Sequence, residues 1–324
     1  MYNLLTVGDI KLDTFISIPK ASVQCQLKMP ACQLCIEYGK KIPVHNIVTQ
    51  VAGSAPNVAV GIAKMKKTVA VSSIMGKDAT NVLALDFLKE HKVDTKYIKA
   101  DPKHKSSFAA VLNFKGESTQ LVSHGDVEYR LSNRTPKSEW IHVSELGGGY
   151  EKLYKDLVVL QKKRGVKISI NPGVIQIEER KKELLALLKV TEVLFVNRRE
   201  AGQLIGKSHK NDVRKIMTGL KDLGPKYVVM TDGRDGAYAY DGEQLDFAPM
   251  FPGRRVEATG AGDAFTTGFL GAMIHGKTHR ESLTWGAVNA ASVVFHIGPT
   301  EGLLTHTQIR KQLRERPKYK TKEL

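Results

Sequence analysis

One regularity narrows the possible folds more than any other. Short apolar runs of strand length alternate with stretches of helical period along most of the chain. Residues 4–7, 69–74, 93–99, 140–143, 167–170, 192–196, 227–230 and 237–240 read as strands. Residues 58–65, 79–91, 150–164 and 178–188 read as helices between them, and Asn197-Arg198-Arg199-Glu200 opens another. Such alternation is the signature of an α/β fold, with a central, mostly parallel sheet covered by helices on both faces. Ligands of these sheets bind beyond the carboxyl ends of the strands. Asp13, Glu145, Asn171, Asn197, Thr231 and Asp263 all fall where a strand ends or a helix starts. That shared placement predicts one composite site.

The chemistry is densest at Val256-Glu257-Ala258-Thr259-Gly260-Ala261-Gly262-Asp263-Ala264-Phe265. Gly260, Ala261 and Gly262 are small and precede a helical run that reaches His275. A helix that starts on such residues offers its free N–H groups and the positive end of its dipole to an anion, typically a phosphate. Asp263, placed at once after that cradle, makes sense as the group that accepts a proton from a hydroxyl attacking the phosphate.

Two better-known phosphate motifs fit this region poorly. Gly260-x-Gly262 begins a dinucleotide fingerprint, but Phe265 stands where a small residue is needed for helix–strand packing. Gly271-Ala272-Met273-Ile274-His275-Gly276-Lys277-Thr278 matches the G-x-x-x-x-G-K-T loop letter for letter. That match starts inside a helical pattern, whereas the loop must follow a strand and open a helix. Gly276 reads instead as the end of the helix, and Thr278-x-x-Glu281 as the capping box of the next.

With 42% hydrophobic and 25% charged residues the chain has an ordinary globular composition. No apolar run approaches membrane-spanning length and the first residues carry no signal-peptide pattern, so a cytoplasmic protein without membrane attachment is expected. The net charge is +16. A basic surface attracts nucleic acid, nucleotides and phosphorylated metabolites alike. Lys and Arg are scattered and accompany no zinc-finger or aromatic–basic pattern, which argues against nucleic acid as the main ligand. Cys25, Cys32 and Cys35 lie together. They could form part of a zinc site with His45, a redox pair, or a reduced cluster with no ligand.

Residues 14–19 and 46–51 alternate as half-exposed strands, and 107–114 with 118–122 read as a hairpin around Lys115-Gly116. These segments predict a small sheet with one wet face, set apart from the main one. The organisation expected is a single domain over residues 1–309, with the small sheet drawn from about 13–51 and 107–122. A disordered basic tail is expected at 310–324.

Four motifs, in order, carry a resemblance. Ala258-Thr259-Gly260-Ala261-Gly262-Asp263 is similar to the signature D-T-x-G-A-G-D, and Ala52-Gly53 with Asn57 to G-G-x-x-x-N. Asn197-x-x-Glu200 matches N-x-x-E, and Thr231-x-Gly233-x-x-Gly236 matches a nucleotide-binding turn. Over residues 4–304 the chain thus resembles the ribokinase, or PfkB, family of carbohydrate and nucleoside kinases. The resemblance implies a ribokinase-like fold with a β-sheet lid and an ATP- and Mg²⁺-dependent transfer of phosphate to a hydroxyl.

It also implies roles. Asp263 is the implied general base, and the backbone of Gly260, Ala261, Gly262 and Asp263 the implied anion hole. Asp13, Gly53, Asn57 and Glu145 would bind the acceptor. Asn197, Thr231, Gly233, Gly236 and Asn289 would bind ATP, and Asn197 with Glu200 would organise Mg²⁺ through water. Asn197 and Glu200 also read as an ordinary helix cap. Glu257 and Ala258 stand where the family usually has Asp-Thr, and that Asp often helps bind a monovalent cation, so a cation at Glu257 is left open. Ala52 replaces a signature glycine, and Lys11 sits in the acceptor-contacting loop.

A sugar is the expected acceptor. A nucleoside or a sugar phosphate is the alternative within the family, and a catalytically silent nucleotide- or nucleic-acid-binding relative the alternative outside it. Pairing of two copies through the lid is a further expectation.

Overall fold

The computed structural model describes residues 1–25, 32–44, 46–115, 117–132, 134–206, 212–253 and 259–324. Its large sheet has ten strands. From one edge these are Asp94–Asp101, Val69–Gly76, Tyr2–Val7, Ser138–Val143, Lys167–Ile170, Val193–Asn197, Tyr227–Thr231, Ala237–Tyr240, Leu245–Ala248 and Lys322–Glu323. Neighbours run parallel up to Tyr227–Thr231 and antiparallel from there to the last edge.

Consecutive residues of the central strands enter opposite cores, which is why these strands read as unbroken apolar runs. Leu5, Ile141 and Ile168 pack with Tyr154, Leu157 and Leu187 on one face. Leu4, Trp140 and Phe195 pack with Val58, Ile62 and Phe269 on the other. Because the strands are parallel, their carboxyl ends share one edge, where Glu145, Asn171, Asn197 and Thr231 lie, whereas Asp13 sits inside the strand Lys11–Ser17 of a separate sheet. Asn197 and Thr231 are direct partners across two neighbouring strands.

A separate four-stranded sheet has the order Asn46–Ala52, Lys11–Ser17, Ser107–Phe114, Glu117–Ser123. Its strands come from the segments expected to form the lid, and the register assigns its faces. Asp13 pairs with Gln50 and Ala109. On that face Phe15, Ala109 and Val111 form a small buried cluster. The opposite face carries Leu12, Ile16 and Leu112 and leaves Ile47 58%, Phe108 41% and Leu121 59% exposed.

The structure departs from the sequence reading at four places. The helix expected over 178–188 is two short ones, Val174–Glu179 and Lys182–Leu188, with Arg180 between them at φ 44°. The run Glu178-Glu179-Arg180-Lys181-Lys182-Glu183 has no apolar residue to hold one continuous helix on the core. The tail expected to be disordered is folded. A helix, His306–Glu315, crosses residue 310 and buries Ile309, and Lys322–Glu323 adds an edge strand. Among the cysteines, Cys25 and Cys32 form a disulfide beside a hairpin of Ser22–Gln24 and Gln33–Cys35, while Cys35 is free. His45 lies outside the described residues, among which no His, Cys, Asp or Glu cluster is arranged to hold a metal ion. Finally, Leu245–Ala248 is a strand that the sequence reading leaves as loop.

No helix among the described residues is long and apolar enough to cross a membrane.

Candidate active site

The site begins at the helix Ala261–Ile274. Gly260, its cap, has φ 79°, and a Cβ there would lie 2.5 Å from Cβ of Pro299. Only glycine enters this turn without strain or collision. Ala264 N–H makes the first internal bond, to the Gly260 carbonyl. The N–H groups of Ala261, Gly262 and Asp263 therefore precede the hydrogen-bonded ladder and remain available to an anion. Gly262 is exposed, and a Cβ built on it meets nothing within 4 Å.

The literal G-x-x-x-x-G-K-T match runs out of the end of this same helix. Gly276 at φ 74° terminates it, and Thr278 caps the next helix in a capping box with Glu281.

Asp263 accepts a hydrogen bond from Nδ2 of Asn57 at 2.7 Å. Asn57 sits in the first turn of the helix Ser54–Lys64, which Gly53 caps at φ 119°. A Cβ on Gly53 would stand 2.4 Å from the Asp9 carbonyl oxygen, so this tight turn sets where Asn57 enters. Burial pushes the Asp263 carboxyl above the ordinary aspartate range, and hydrogen bonds from Asn57 and Ser54 and the charge of Lys11 pull it back. The side-chain oxygen of Asn57 is buried without a partner among the described residues, so it is free to accept a hydrogen bond from a hydroxyl.

The charges of Lys11 and Glu145 reach Asp263. Lys11 is only 6% exposed, and its Nζ lies 3.9 Å from Glu145 Oε2. Asp13 is buried on the same lid strand. Behind them Asp9 gathers three donors that the sequence reading did not single out. His124 Nδ1 donates to it at 2.8 Å, Ser107 Oγ at 3.4 Å, and the Tyr129 hydroxyl at short range. The Asp9 hydrogen bond holds the His124 imidazole above its usual pKa.

On the other side of the anion cradle lies a cavity of about 440 Å³. Thr231, Gly233 and Gly236 line it together with Ala261, Gly262 and Phe265. The Thr231–Gly236 turn and the start of the Ala261–Ile274 helix thus border one space. The turn is closed by the bond from Asp232 N–H to the Gly236 carbonyl, and Arg198 pairs with Asp232 beside it. A wider depression of about 530 Å³, bordered by Arg180, Arg214 and Asp222, shares no residue with this cavity.

Asn197 and Glu200 form a reciprocal helix cap, Asn197 Oδ1 accepting from Glu200 N–H and Glu200 Oε2 from Asn197 N–H. Burial raises the Glu200 carboxyl, and the charge of Glu145 raises it further. Glu145 also raises Asp263, so its charge reaches both groups. An acid destabilised by burial and by a neighbouring acid is one that a divalent cation would relieve, and these oxygen donors suit Mg²⁺.

Asn289 has a different place. It is wholly buried, with Nδ2 on the Ala264 carbonyl at 2.7 Å and Oδ1 accepting from Leu304 N–H at 2.9 Å. It ties the start of the Asp263 helix to the loop at Leu304 and does not line the cavity. Glu257 and Ala258 lie outside the described residues.

A model of the pfkB family carbohydrate kinases matches residues 21–306. The chain belongs to the pfkB family of carbohydrate kinases. It is accordingly a phosphotransferase of the ribokinase-like fold. It is 23% identical over 312 residues to an ATP-dependent 6-phosphofructokinase of Thermoanaerobacterium thermosaccharolyticum, covering 92% of this chain and 89% of that one. It is also 23% identical to a ribokinase of Haemophilus influenzae, covering 94% and 96%. The structure of Arabidopsis thaliana ribokinase complexed with ribose and ATP superposes with a TM-score of 0.80 at 21% identity, covering 97% and 99%. The described parts of the four motifs are linked by the Asn57–Asp263 bond, by the cavity that Thr231 and Ala261 share and by the pairing of Asn197 with Thr231.

Proposed function

We propose that this pfkB kinase transfers the terminal phosphoryl group of ATP to a hydroxyl of a sugar, with Asp263 as the base. The observation that carries this reading is the position of Asp263. It joins the N-terminal anion cradle of its helix to the Asn57 side chain at 2.7 Å. One face of this junction is the cavity lined by Thr231, Gly233 and Gly262, where the nucleotide belongs. The other holds Asn57, with Lys11 and Glu145 close enough to act on Asp263, and these groups suit hydroxyls.

In the reaction the acceptor oxygen bonds to the terminal phosphorus, the bond to the bridging oxygen breaks, and ADP leaves. Asp263 takes the hydroxyl proton, and Asn57 holds its carboxylate in place. The N–H groups of Ala261, Gly262 and Asp263 receive the charge that gathers on the moving group, a contribution of about 10²–10³ in rate for such donors. Asn197 and Glu200 would hold Mg²⁺ through water; its chemistry there is to neutralise phosphate charge. The lid over the acceptor keeps out water that would compete for the phosphoryl group.

The acceptor can be narrowed by one feature. The buried ammonium of Lys11, on the strand Lys11–Ser17, favours a substrate that carries an anion, so a sugar phosphate is the second reading and a nucleoside the third. The exposed apolar lid face bearing Ile47, Phe108 and Leu121 supports pairing of two copies through the lid. Sedimentation of wild type and Phe108→Glu tests that pairing, which requires a dimer that the substitution dissociates.

The acceptor reading is tested by incubating the protein with ATP and Mg²⁺ against sugars, nucleosides and sugar phosphates, with the product identified by phosphorus NMR. A phosphorylated sugar or sugar phosphate is expected. No product on any acceptor, together with salt-dependent RNA binding, would turn the assignment to a silent binder.

A further inference from the structure

The segment 316–324 has no place in the reaction just described, yet its contacts converge on one wall of the nucleotide cavity. Phe251 lines that cavity and is 3% exposed. The Tyr319 ring packs edge-on against it, with centroids 4.8 Å apart. The Arg316 guanidinium lies 4.9 Å from the same ring. The Tyr319 hydroxyl donates to the carbonyl of Pro249, a second lining residue, at 2.6 Å. One side chain thus holds the Pro249–Phe251 turn by its backbone and by its ring.

The residues that follow secure Tyr319. Lys322 and Glu323 pair antiparallel with Phe247 and Asp246, and Leu324 N–H donates to the Leu245 carbonyl at 2.9 Å. Arg280 bridges Asp246 and Glu323, at 2.7 and 2.8 Å. The Thr321 and Thr284 hydroxyls share a hydrogen bond at 2.7 Å. A two-residue strand is marginal alone, and these side-chain links fasten it to the sheet edge. The strand it covers, Leu245–Ala248, runs directly into Pro249.

Ala287, Ala290 and Val294 line the same cavity as Phe251 and add apolar surface. Such a surface suits the face of a nucleobase. We infer that Tyr319 is a positioning residue for the nucleotide: it fixes the Pro249–Phe251 wall against which the base of the nucleoside triphosphate packs. This rests on the reading of the cavity as the ATP site.

The test compares wild type, Tyr319→Phe and Tyr319→Ala by ATP titration calorimetry, by steady-state kinetics at saturating acceptor, and by thermal melting. Tyr319→Ala is expected to raise the Kd and KM for ATP by about 2–10-fold, the factor that corresponds to a lost hydrogen bond, and more if the ring contact counts separately. Tyr319→Phe, which keeps the ring, should fall between it and wild type. The acceptor KM should stay unchanged in both. A purely structural role would lower the active fraction, and with it the apparent kcat, but leave both ATP constants alone. Unaltered ATP affinity in a folded Tyr319→Phe and a folded Tyr319→Ala overturns the inference while leaving the cavity reading intact. Failure of wild type to bind ATP overturns both.

Discussion

Asn57 and Asp263 stand 206 residues apart in sequence and 2.7 Å apart in space, the amide nitrogen of one on the carboxylate of the other. This contact joins the two glycine-containing helix starts. It also sets the basicity of Asp263, because burial raises the carboxyl while Asn57, Ser54 and Lys11 hold it down.

The pH profile follows from that balance. A general base works in its ionised form, so activity should fall as pH drops through the Asp263 pKa, above the usual aspartate range. Asn57→Ala removes a donor to the carboxylate and should move the acid limb of kcat/KM to higher pH. Lys11→Met should act in the same direction, since it removes a favourable charge. Profiles of the two variants against wild type check this; an acid limb displaced to lower pH would contradict it.

A stability effect of opposite sense is expected for Asp263→Asn. An acid with a raised pKa in the folded state favours folding while protonated, and that contribution is lost as pH rises through the folded pKa. At neutral pH the buried charge is therefore a cost, which the amide removes. The variant should melt above wild type at pH 7, with the gap closing as the pH falls below the unfolded aspartate value. Thermal melts across pH 3–8 measure it, a range that spans the ordinary aspartate pKa of about 4.

The two glycines of the anion cradle should respond differently. Gly260→Ala combines a left-handed turn with a 2.5 Å approach to Pro299, so it should lower the melting temperature. Gly262→Ala places its methyl in open space at the cavity edge, so the fold should be kept while the KM for ATP rises and kcat falls. Melting curves and steady-state kinetics on both variants separate the roles.

The four-stranded sheet touches the loop before the Asp263 helix through Ser118, whose hydroxyl lies 3.4 Å from that of Thr259 and donates to Asn113 at 2.7 Å. If lid contact excludes water, Ser118→Ala should increase the ADP released per acceptor phosphorylated. The ratio of ADP to phosphorylated product measures the loss, and an unchanged ratio would separate this contact from water exclusion.

Much of this was legible in the sequence because it depends on local patterning. Alternating strand and helix periods require the parallel sheet, and small residues before Asp263 require an exposed helix start. The lid followed from the period-two runs at 14–19 and 46–51. What escaped depends on contacts distant in sequence. His124 and Tyr129 come from irregular chain and reach Asp9 across 115 and 120 residues, with no periodic signal to mark them. Asn289 is expected at the nucleotide through the family resemblance, and its burial carries no signal in the sequence; its amide binds Ala264 and Leu304. The basic tail read as solvated charge, yet Tyr319 on Phe251 and Ile309 in the core decide that it folds.

The most direct test of the account is a rapid-quench comparison of wild type and Asp263→Asn, with ATP, Mg²⁺ and the best acceptor from the screen. The variant should bind ATP as wild type does and lose about 10²–10⁴ in the rate of phosphoryl transfer, the range that proton transfer by a positioned side chain supplies. Transfer at the wild-type rate by the folded variant would contradict the assignment of Asp263 as the base.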